Sequence, residues 1–406
     1  MPFTLWDYAV KVLHVYRTYY PETQGGLQEA IRQICRGLTT CGVQSSVFTL
    51  AKNCEPARTM VDDSPVVRAR SAVEIASCDM GSPVAMAAFR KAAREADVLN
   101  FHYPWPFGDL LATLANPGKP YVVTYHSDIV RQRMVEPMYS PLRALFFRGA
   151  SAVVATSPTY AMTSTFLARH REKIEIIPLC LDERSLANPS MGAVGRYVPR
   201  PDQPYFVFVG VLRYYKGLHF LIEAARQTGL QVVIAGDGPE RDRLKAQAEG
   251  LDNVRFTGFI DDGDKAALLR SARAVVFPSH LRAEAFGVTL LEGGLCARPL
   301  ISTEIGTGTS YVNLHGVTGL VVPPADPAAL AKAMMQLAND PELARRMGVA
   351  AQERCRDLFG IHEAGARYAR LYARTLGARA PARQIGTGIE GRAARSINPT
   401  TDSSIK

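Results

Sequence analysis

No run of about 18 uncharged apolar residues occurs in this chain of 406 residues, so no transmembrane helix is predicted. Residues 1–10 lack a basic start followed by an apolar stretch, and they do not read as a secretory signal. Cysteine is sparse. Cys35, Cys41, Cys54, Cys78, Cys180, Cys296 and Cys355 are odd in number, and no CxxC pair occurs. That pattern argues against a disulfide framework and against a zinc site. A reducing cytoplasm is the simplest setting, with most thiols serving as small buried apolar groups. No cluster of metal ligands is visible.

What is present suits two units. The length exceeds the ~100–200 residues usual for one domain. Hydrophobic residues at 47% and charged residues at 21% are ordinary for a globular protein, and 8% aromatics can pack a core in each half. The net charge of +9 is uneven. Lys and Arg number 22 against 17 Asp and Glu in residues 1–200, 20 against 19 in 201–375, and 5 against 2 in 376–406. The excess suits an anionic partner: a phosphate, an acidic lipid surface or a nucleic acid.

Short β-branched runs alternate with helical stretches. Val12–Tyr16, Ser46–Leu50, Val98–Phe101, Tyr121–Thr124, Ala152–Ala155 and Ile174–Ile177 read as buried strands, with helices at Leu27–Thr40, Val84–Ala96 and Tyr160–His170. The second half repeats the style, with strands at Phe206–Val209, Val232–Ala235, Val254–Phe256, Ala274–Phe277, Leu300–Ser302 and Leu320–Val322. Helices are expected there at Gly217–Gln227, Glu240–Gly250 and Lys265–Ala272. Alternation of this kind predicts an α/β protein of two doubly wound, Rossmann-like domains facing a cleft. The expected division is 11–187 for the first domain, a proline-bearing linker at 188–203, and 204–355 for the second. A helix at 356–375 is expected to cross back to the first domain, and the aperiodic tail 376–406 is expected to be disordered.

The candidate functional residues fall just after strands, where such sheets bind ligands. Gly25 and Gly26 open a helix after the first strand, so a helix N-terminus could cradle a pyrophosphate. The plain alternative is an ordinary turn, and no G-x-G-x-x-G occurs here to mark nicotinamide binding. In the second domain Arg213 and Lys216 precede a helix, and their charges suit a diphosphate. Fixed cations there would stabilise negative charge growing on a leaving phosphate.

Glu284 and Glu292 lie eight residues apart. On one continuous helix they would diverge by about 80°. They converge better with Glu284 in a loop and a helix beginning near Phe286, which turns the N–H groups of Gly287 and Val288 toward phosphates. Glu292 follows the apolar run Val288–Leu291, where an unpaired acid would be costly. Gly306–Ser310, including Thr309, offers small and hydroxyl residues for a phosphate or sugar wall, or simply a polar turn. His126 follows the Tyr121–Thr124 strand at the expected cleft edge, and His102 is a weaker candidate; a core-edge histidine is the plain alternative for each.

Together these residues resemble glycosyltransferase family four, of the two-Rossmann-domain GT-B type, over residues 11–375. The most specific piece is E-x7-E at Glu284 and Glu292, with Phe286-Gly287 inside it. The Arg213…Lys216-Gly217 pair, the Gly236-Asp237-Gly238-Pro239 turn and the Gly25-Gly26 loop also match. The resemblance implies retention of anomeric configuration by front-face attack, with no metal and no cofactor beyond a nucleotide-diphosphate sugar as donor substrate. It implies that Glu284 contacts the donor sugar and Glu292 the ribose, that Arg213 and Lys216 hold the diphosphate, and that His126 sits near the reacting sugar. Gly25, Gly26, Gly236, Gly258, Phe286, Gly287, Val288 and Thr309 complete the implied binding set. One departure is Gly293-Gly294 after Glu292, which puts local helix rigidity in doubt at about 1 kcal/mol per glycine.

Residues 303–323 and 126–132 are similar to bacterial O-antigen mannosyl- and D-rhamnosyltransferases that use GDP-linked donors. That likeness implies a lipid-linked glycan acceptor, lipopolysaccharide synthesis, and a cytoplasmic protein peripheral to the inner face of the plasma membrane. Residues 129–148 carry Arg131, Arg133, Arg143 and Arg148, with Met134, Met138, Leu142, Leu145, Phe146 and Phe147. They could form a basic, apolar surface for an anionic membrane, or an amphipathic helix packed on its own sheet. Other readings are an epimerase, a phosphorylase or a UDP-sugar transferase on the same plan, or a non-catalytic basic binding protein. Against nucleic acid as the partner, the basic residues are not interleaved with aromatics in a recognisable module.

Overall fold

Strand-forming runs that are buried on both faces assemble into two separate, mainly parallel sheets. The structure, a computed structural model, describes residues 9–75, 78–128 and 136–377. The first sheet contains β1 (Lys11–Val15), β2 (Gln44–Ala51), β3 (Arg58–Val61), β4 (Ser64–Ile75), β5 (Cys78–Gly81), β6 (Val98–Tyr103), β7 (Tyr121–Tyr125), β8 (Ala152–Ala155) and β9 (Ile174–Ile176). Their order is β3-β4-β2-β1-β6-β7-β8-β9, with β5 beside β4. The second sheet contains β10 (Tyr205–Val209), β11 (Gln231–Ala235), β12 (Val254–Gly258), β13 (Ala274–Phe277), β14 (Leu300–Thr303) and β15 (Gly319–Val322). Its order is β12-β11-β10-β13-β14-β15. Strand order reverses between β1 and β6 in one sheet and between β10 and β13 in the other. These are the switch points at which doubly wound sheets bind ligands, beyond the carboxyl ends of the strands.

The parallel strands are hydrophobic without alternation because helices cover both faces. Every residue of β10, β11 and β13 is buried. Each such Val, Ile or Phe stabilises the fold by roughly 1.5–3 kcal/mol. The edge strands β3 to β5 are absent from the expected pattern, and their composition explains it. They carry Arg58, Arg68, Arg70 and Asp79, and β3 and β5 pair antiparallel with β4 on a partly exposed edge. The expected helix Tyr160–His170 is two pieces, Pro158–Thr163 and a 3-10 turn at Leu167–Lys173. Ser164 separates them in extended backbone; its hydroxyl reaches Asp128 at 2.7 Å and accepts from Leu167 N at 3.3 Å.

Residues 188–203 are packed on the second unit. Ser190 N donates to Gly263 O at 2.9 Å, a short helix forms at Ala193–Tyr197, and Arg196 pairs with Asp264 at 2.9 Å. The helix Pro341–Phe359 completes the second core, with Met347, Cys355 and Phe359 buried in it. The chain then turns at Gly360, and the helix Ile361–Thr375 lies on the helix Gly26–Thr39 of the first unit. Gly37 and Gly365 make this crossing: a Cβ on either would collide with backbone of the other helix. Tyr368 and Tyr372 are buried there, with hydroxyls 3.2 Å from Thr124 Oγ1 and 2.9 Å from Asn100 Nδ2.

The tail from residue 378, with Arg131, Arg133 and Met134, lies outside the described residues. In the helix Glu136–Gly149, Phe146 and Phe147 are buried in the first core, so these two are not available to a membrane surface; Leu145 and Arg148 are exposed. Among the described residues no helix is long and apolar enough to cross a membrane.

Candidate functional site

In the second unit, three neighbouring strands run out into glycines: Gly210 after β10, Gly236 after β11 and Gly258 ending β12. Their φ angles are 150°, 133° and 72°. A Cβ on Gly236 would overlap the carbonyl oxygen of Gly210, so only glycine lets these backbones meet. Leu212 N donates to Asp237 O at 2.9 Å, and Glu240 N donates to Leu212 O at 3.1 Å. The turn bearing Arg213 is thereby pinned against the Gly236–Glu240 turn. The Arg213 side chain projects into solvent.

Lys216 ends a 3-10 turn that closes at Gly217 with φ 69°, packed against the carbonyl of Pro278. That approach brings Lys216 to the end of β13. Its ammonium pairs with Glu284 and lies 4.4 Å from the ring centroid of Phe277. Glu284 is in the loop, and the following helix begins at Val288. Gly287, with φ 92°, caps that helix without a side-chain cap, so the first N–H groups at Val288 meet no capping side chain. Phe286 is a packing anchor, buried 5.9 Å from the ring of Phe359.

Glu292, on the helix Val288–Leu295, is buried and pairs with Lys265 at 2.8 Å; Lys265 also reaches Asp262 at 2.9 Å. Burial opposes the charge on Lys265 most strongly of any single influence, but the Glu292 and Asp262 carboxylates together outweigh it and hold the ammonium above the usual lysine range. The two glycines after Glu292 are packing requirements. A Cβ on Gly293 would meet Val275 Cγ2 at 2.6 Å, and one on Gly294 would overlap Cys355 Sγ. The helix therefore lies tight on β13 and on Pro341–Phe359, which holds it firmly despite the weak helix formers.

Thr309 begins a short helix, fully buried, with its hydroxyl donating to Thr303 O at 3.2 Å. It supports the loop from behind. Thr307 is buried with an unpartnered hydroxyl.

In the first unit, Gly25 caps and Gly26 opens the helix Gly26–Thr39. Glu29 in its first turn accepts from Tyr20 Oη at 2.7 Å and Gln33 Nε2 at 2.6 Å. His126, just beyond β7, is buried and linked to His102 at 2.9 Å, which is linked to His14 at 3.0 Å. Burial drives the imidazoles of His14 and His126 down to about 3, and lowers His102 as well.

The two halves meet directly. Arg282 reaches from the second unit to Asp128 at 3.5 Å and Thr163 Oγ1 at 3.1 Å, while holding Gly306 O at 2.6 Å. Ala285 packs against the first core. Since Asp128 follows His126 by two residues and Arg282 precedes Glu284 by two, the segments bearing His126 and Glu284 face each other.

Lys265, Arg282 and His14 were missed by sequence reasoning. The cost of burying Glu292 signalled that a cation was needed, but nothing in the local pattern named Lys265. His280 was missed too: its Nδ1 is buried, unpartnered, and close to Gly217.

Comparison with known proteins agrees with this architecture. A family model for glycosyl transferases group 1 matches residues 196–354, and one for a glycosyl transferase 4-like domain matches residues 25–180. The chain is similar to D-rhamnosyltransferase WbpZ of Pseudomonas aeruginosa, 46% identical over 352 residues, covering 86% of this chain and 92% of the relative. It is also similar to O-antigen chain mannosyltransferase C of Escherichia coli, 42% identical over 369 residues, covering 90% and 99%. Among solved structures, sucrose-phosphate synthase of Thermosynechococcus elongatus superposes with a TM-score of 0.73 at 20% identity, covering 91% of this chain and 99% of that one. Anabaena HepE in complex with UDP gives 0.73 at 19% identity, covering 90% and 100%.

Proposed function

Given that this chain belongs to the group 1 glycosyltransferases, with their two-domain GT-B fold, we propose that it transfers mannose or D-rhamnose from a GDP-linked donor onto a lipid-linked glycan in O-antigen synthesis. The choice of sugar is supported by the names of the two relatives that match nearly their whole length, and the O-antigen pathway by the second of them. The observation that carries the site assignment is the pair of buried carboxylates, Glu284 and Glu292, each neutralised by its own lysine. In this reading the donor's diphosphate draws the Lys216 ammonium and the Arg213 guanidinium to itself. Glu284 is then released to accept bonds from sugar hydroxyls. Glu292, held in place by Lys265, accepts from the ribose hydroxyls.

The bond between the anomeric carbon and the diphosphate oxygen breaks as the acceptor hydroxyl bonds to the same face of that carbon. The acceptor proton passes to the departing phosphate oxygen, and configuration is retained. Negative charge developing on the diphosphate is met by Lys216, Arg213 and the N–H groups at Gly287 and Val288. These fixed positive groups remove the need for a metal. His126 lies across the cleft, near the reacting sugar. The surplus of cations in the first half of the chain suits an anionic lipid-linked acceptor, with peripheral membrane contact through Leu145 and Arg148.

The test is turnover with GDP-mannose and GDP-D-rhamnose on a lipid-linked glycan, beside UDP- and dTDP-sugars. Transfer with a GDP donor and its loss in Glu284→Ala, with GDP binding retained by thermal shift, is the expected result. Near-normal transfer by that variant would overturn the role given to Glu284. Inverted product would overturn the mechanism.

A further inference from the structure

Three imidazoles stand in series across three adjacent strands: His14 on β1, His102 on β6 and His126 just past β7. His14 Nδ1 is 3.0 Å from His102 Nε2, and His102 Nδ1 is 2.9 Å from His126 Nε2. Neighbouring rings are stacked, with centroids 5.3 and 5.2 Å apart. No further side chain hydrogen-bonds to these rings among the described residues, and no metal-holding group is found among them.

A neutral imidazole has one donor and one acceptor, so a chain of three must point all one way. The two directions differ only at the ends. His14 Nε2 is sealed from solvent and has no partner. If protons point inward, from His126 toward His14, that sealed atom is an N–H with nothing to bond. If they point outward, it is only an empty lone pair. Orphaned buried N–H groups are the rarer and costlier defect. The outward direction is therefore favoured. His126 Nδ1, unlike His14 Nε2, is not among the sealed atoms and has no partner among the described residues.

We propose that the chain His14–His102–His126 fixes His126 as a neutral imidazole with its proton on Nδ1, presented to the cleft as a hydrogen-bond donor. His126 then donates to an oxygen of the bound donor or acceptor and does not abstract a proton. His14 and His102 are positioning residues: they act through His126, and the buried defect at His14 sets the tautomer two rings away. The contribution to transfer rests on the function proposed above; the tautomer does not.

The first experiment reads nitrogen chemical shifts of ¹⁵N-histidine-labelled protein, without ligand, at neutral pH. Protonated Nδ1 and unprotonated Nε2 at His126 are expected. The opposite tautomer, or an imidazolium, overturns the proposal. The second compares His14→Phe with His14→Asn, whose amide can replace the Nδ1 donor. The Phe variant should lose about a hundredfold in kcat, the low end for loss of a transition-state donor, with little change in donor KM. The Asn variant should restore most of it and keep the Nδ1-H signature at His126. An Asn variant no better than Phe, in folded protein, overturns the positioning role. Failure of the wild type to use any nucleotide sugar would refute the function and leave the nitrogen shifts to decide the tautomer.

Discussion

Replacing His14 by asparagine should make the first unit less sensitive to acid, and the size of the effect follows from burial. The His14 ring is fully buried, and desolvation lowers it from 6.5 to about 3. The unfolded chain keeps the ordinary histidine value, near 6.5. The folded value lies below the unfolded one, so below pH 6.5 the unfolded state binds the extra proton. Stability from neutral His14 is therefore full above pH 6.5 and declines as pH falls toward 3. Between pH 7.5 and 5.5 the loss is about 1.4 kcal/mol for this one side chain. Asparagine does not titrate, and whatever it costs in packing is the same at both pH values. The stability gap between wild type and His14→Asn should thus shift by about 1.4 kcal/mol in favour of the variant on acidification. Urea unfolding followed by tryptophan fluorescence reads this out. Trp105 is buried in the first core, residues 204–355 contain no tryptophan, and a Trp6→Phe background leaves Trp105 as the reporter of the first unit. A gap unchanged between the two pH values would refute the reasoning and mean that the ring is hydrated or already charged.

Three other outcomes are expected. Lys265→Met leaves Glu292 buried without its partner and should cost about 3–5 kcal/mol, measured by denaturant unfolding; a loss below about 1 kcal/mol would show that the carboxylate escapes to water. Gly236→Ala places a Cβ on the Gly210 carbonyl at φ 133° and should lower the melting temperature by at least several degrees, from strain of roughly 1–3 kcal/mol. Prior treatment with EDTA should leave sugar transfer intact, whereas strict dependence on added Mn²⁺ would contradict charge stabilisation by Lys216 and Arg213.

The parallel strands were legible because strands buried on both faces need continuous apolar runs, as in Val232–Ala235 and Ala274–Phe277. The β3–β5 edge was not, since Arg58, Asp62 and Arg70 give that segment the composition of a loop. Glu292 revealed that it needed a cation, but Lys265 sits 27 residues earlier on another helix, and the fold decides which lysine arrives. Likewise His102 and His126 stood out after their strands, while His14 inside β1 looked like any core residue. Only the strand order, with β6 between β1 and β7, lines the three up. The glycines after Glu292 looked like a weak point and are a close contact, because helix propensity says nothing about the neighbour a helix must approach.

The docking of Ile361–Thr375 on the first unit has a consequence for synthesis. Ile361, Tyr368 and Tyr372 belong to the same buried cluster as Val12, Val98 and Val122. The unit that leaves the ribosome first therefore lacks part of its interior until the last described helix has been made. The second unit, contiguous from residue 205 to 359, closes its own sheet beforehand. The order of completion is the reverse of the order of translation, and the face awaiting that helix stays uncovered throughout the interval.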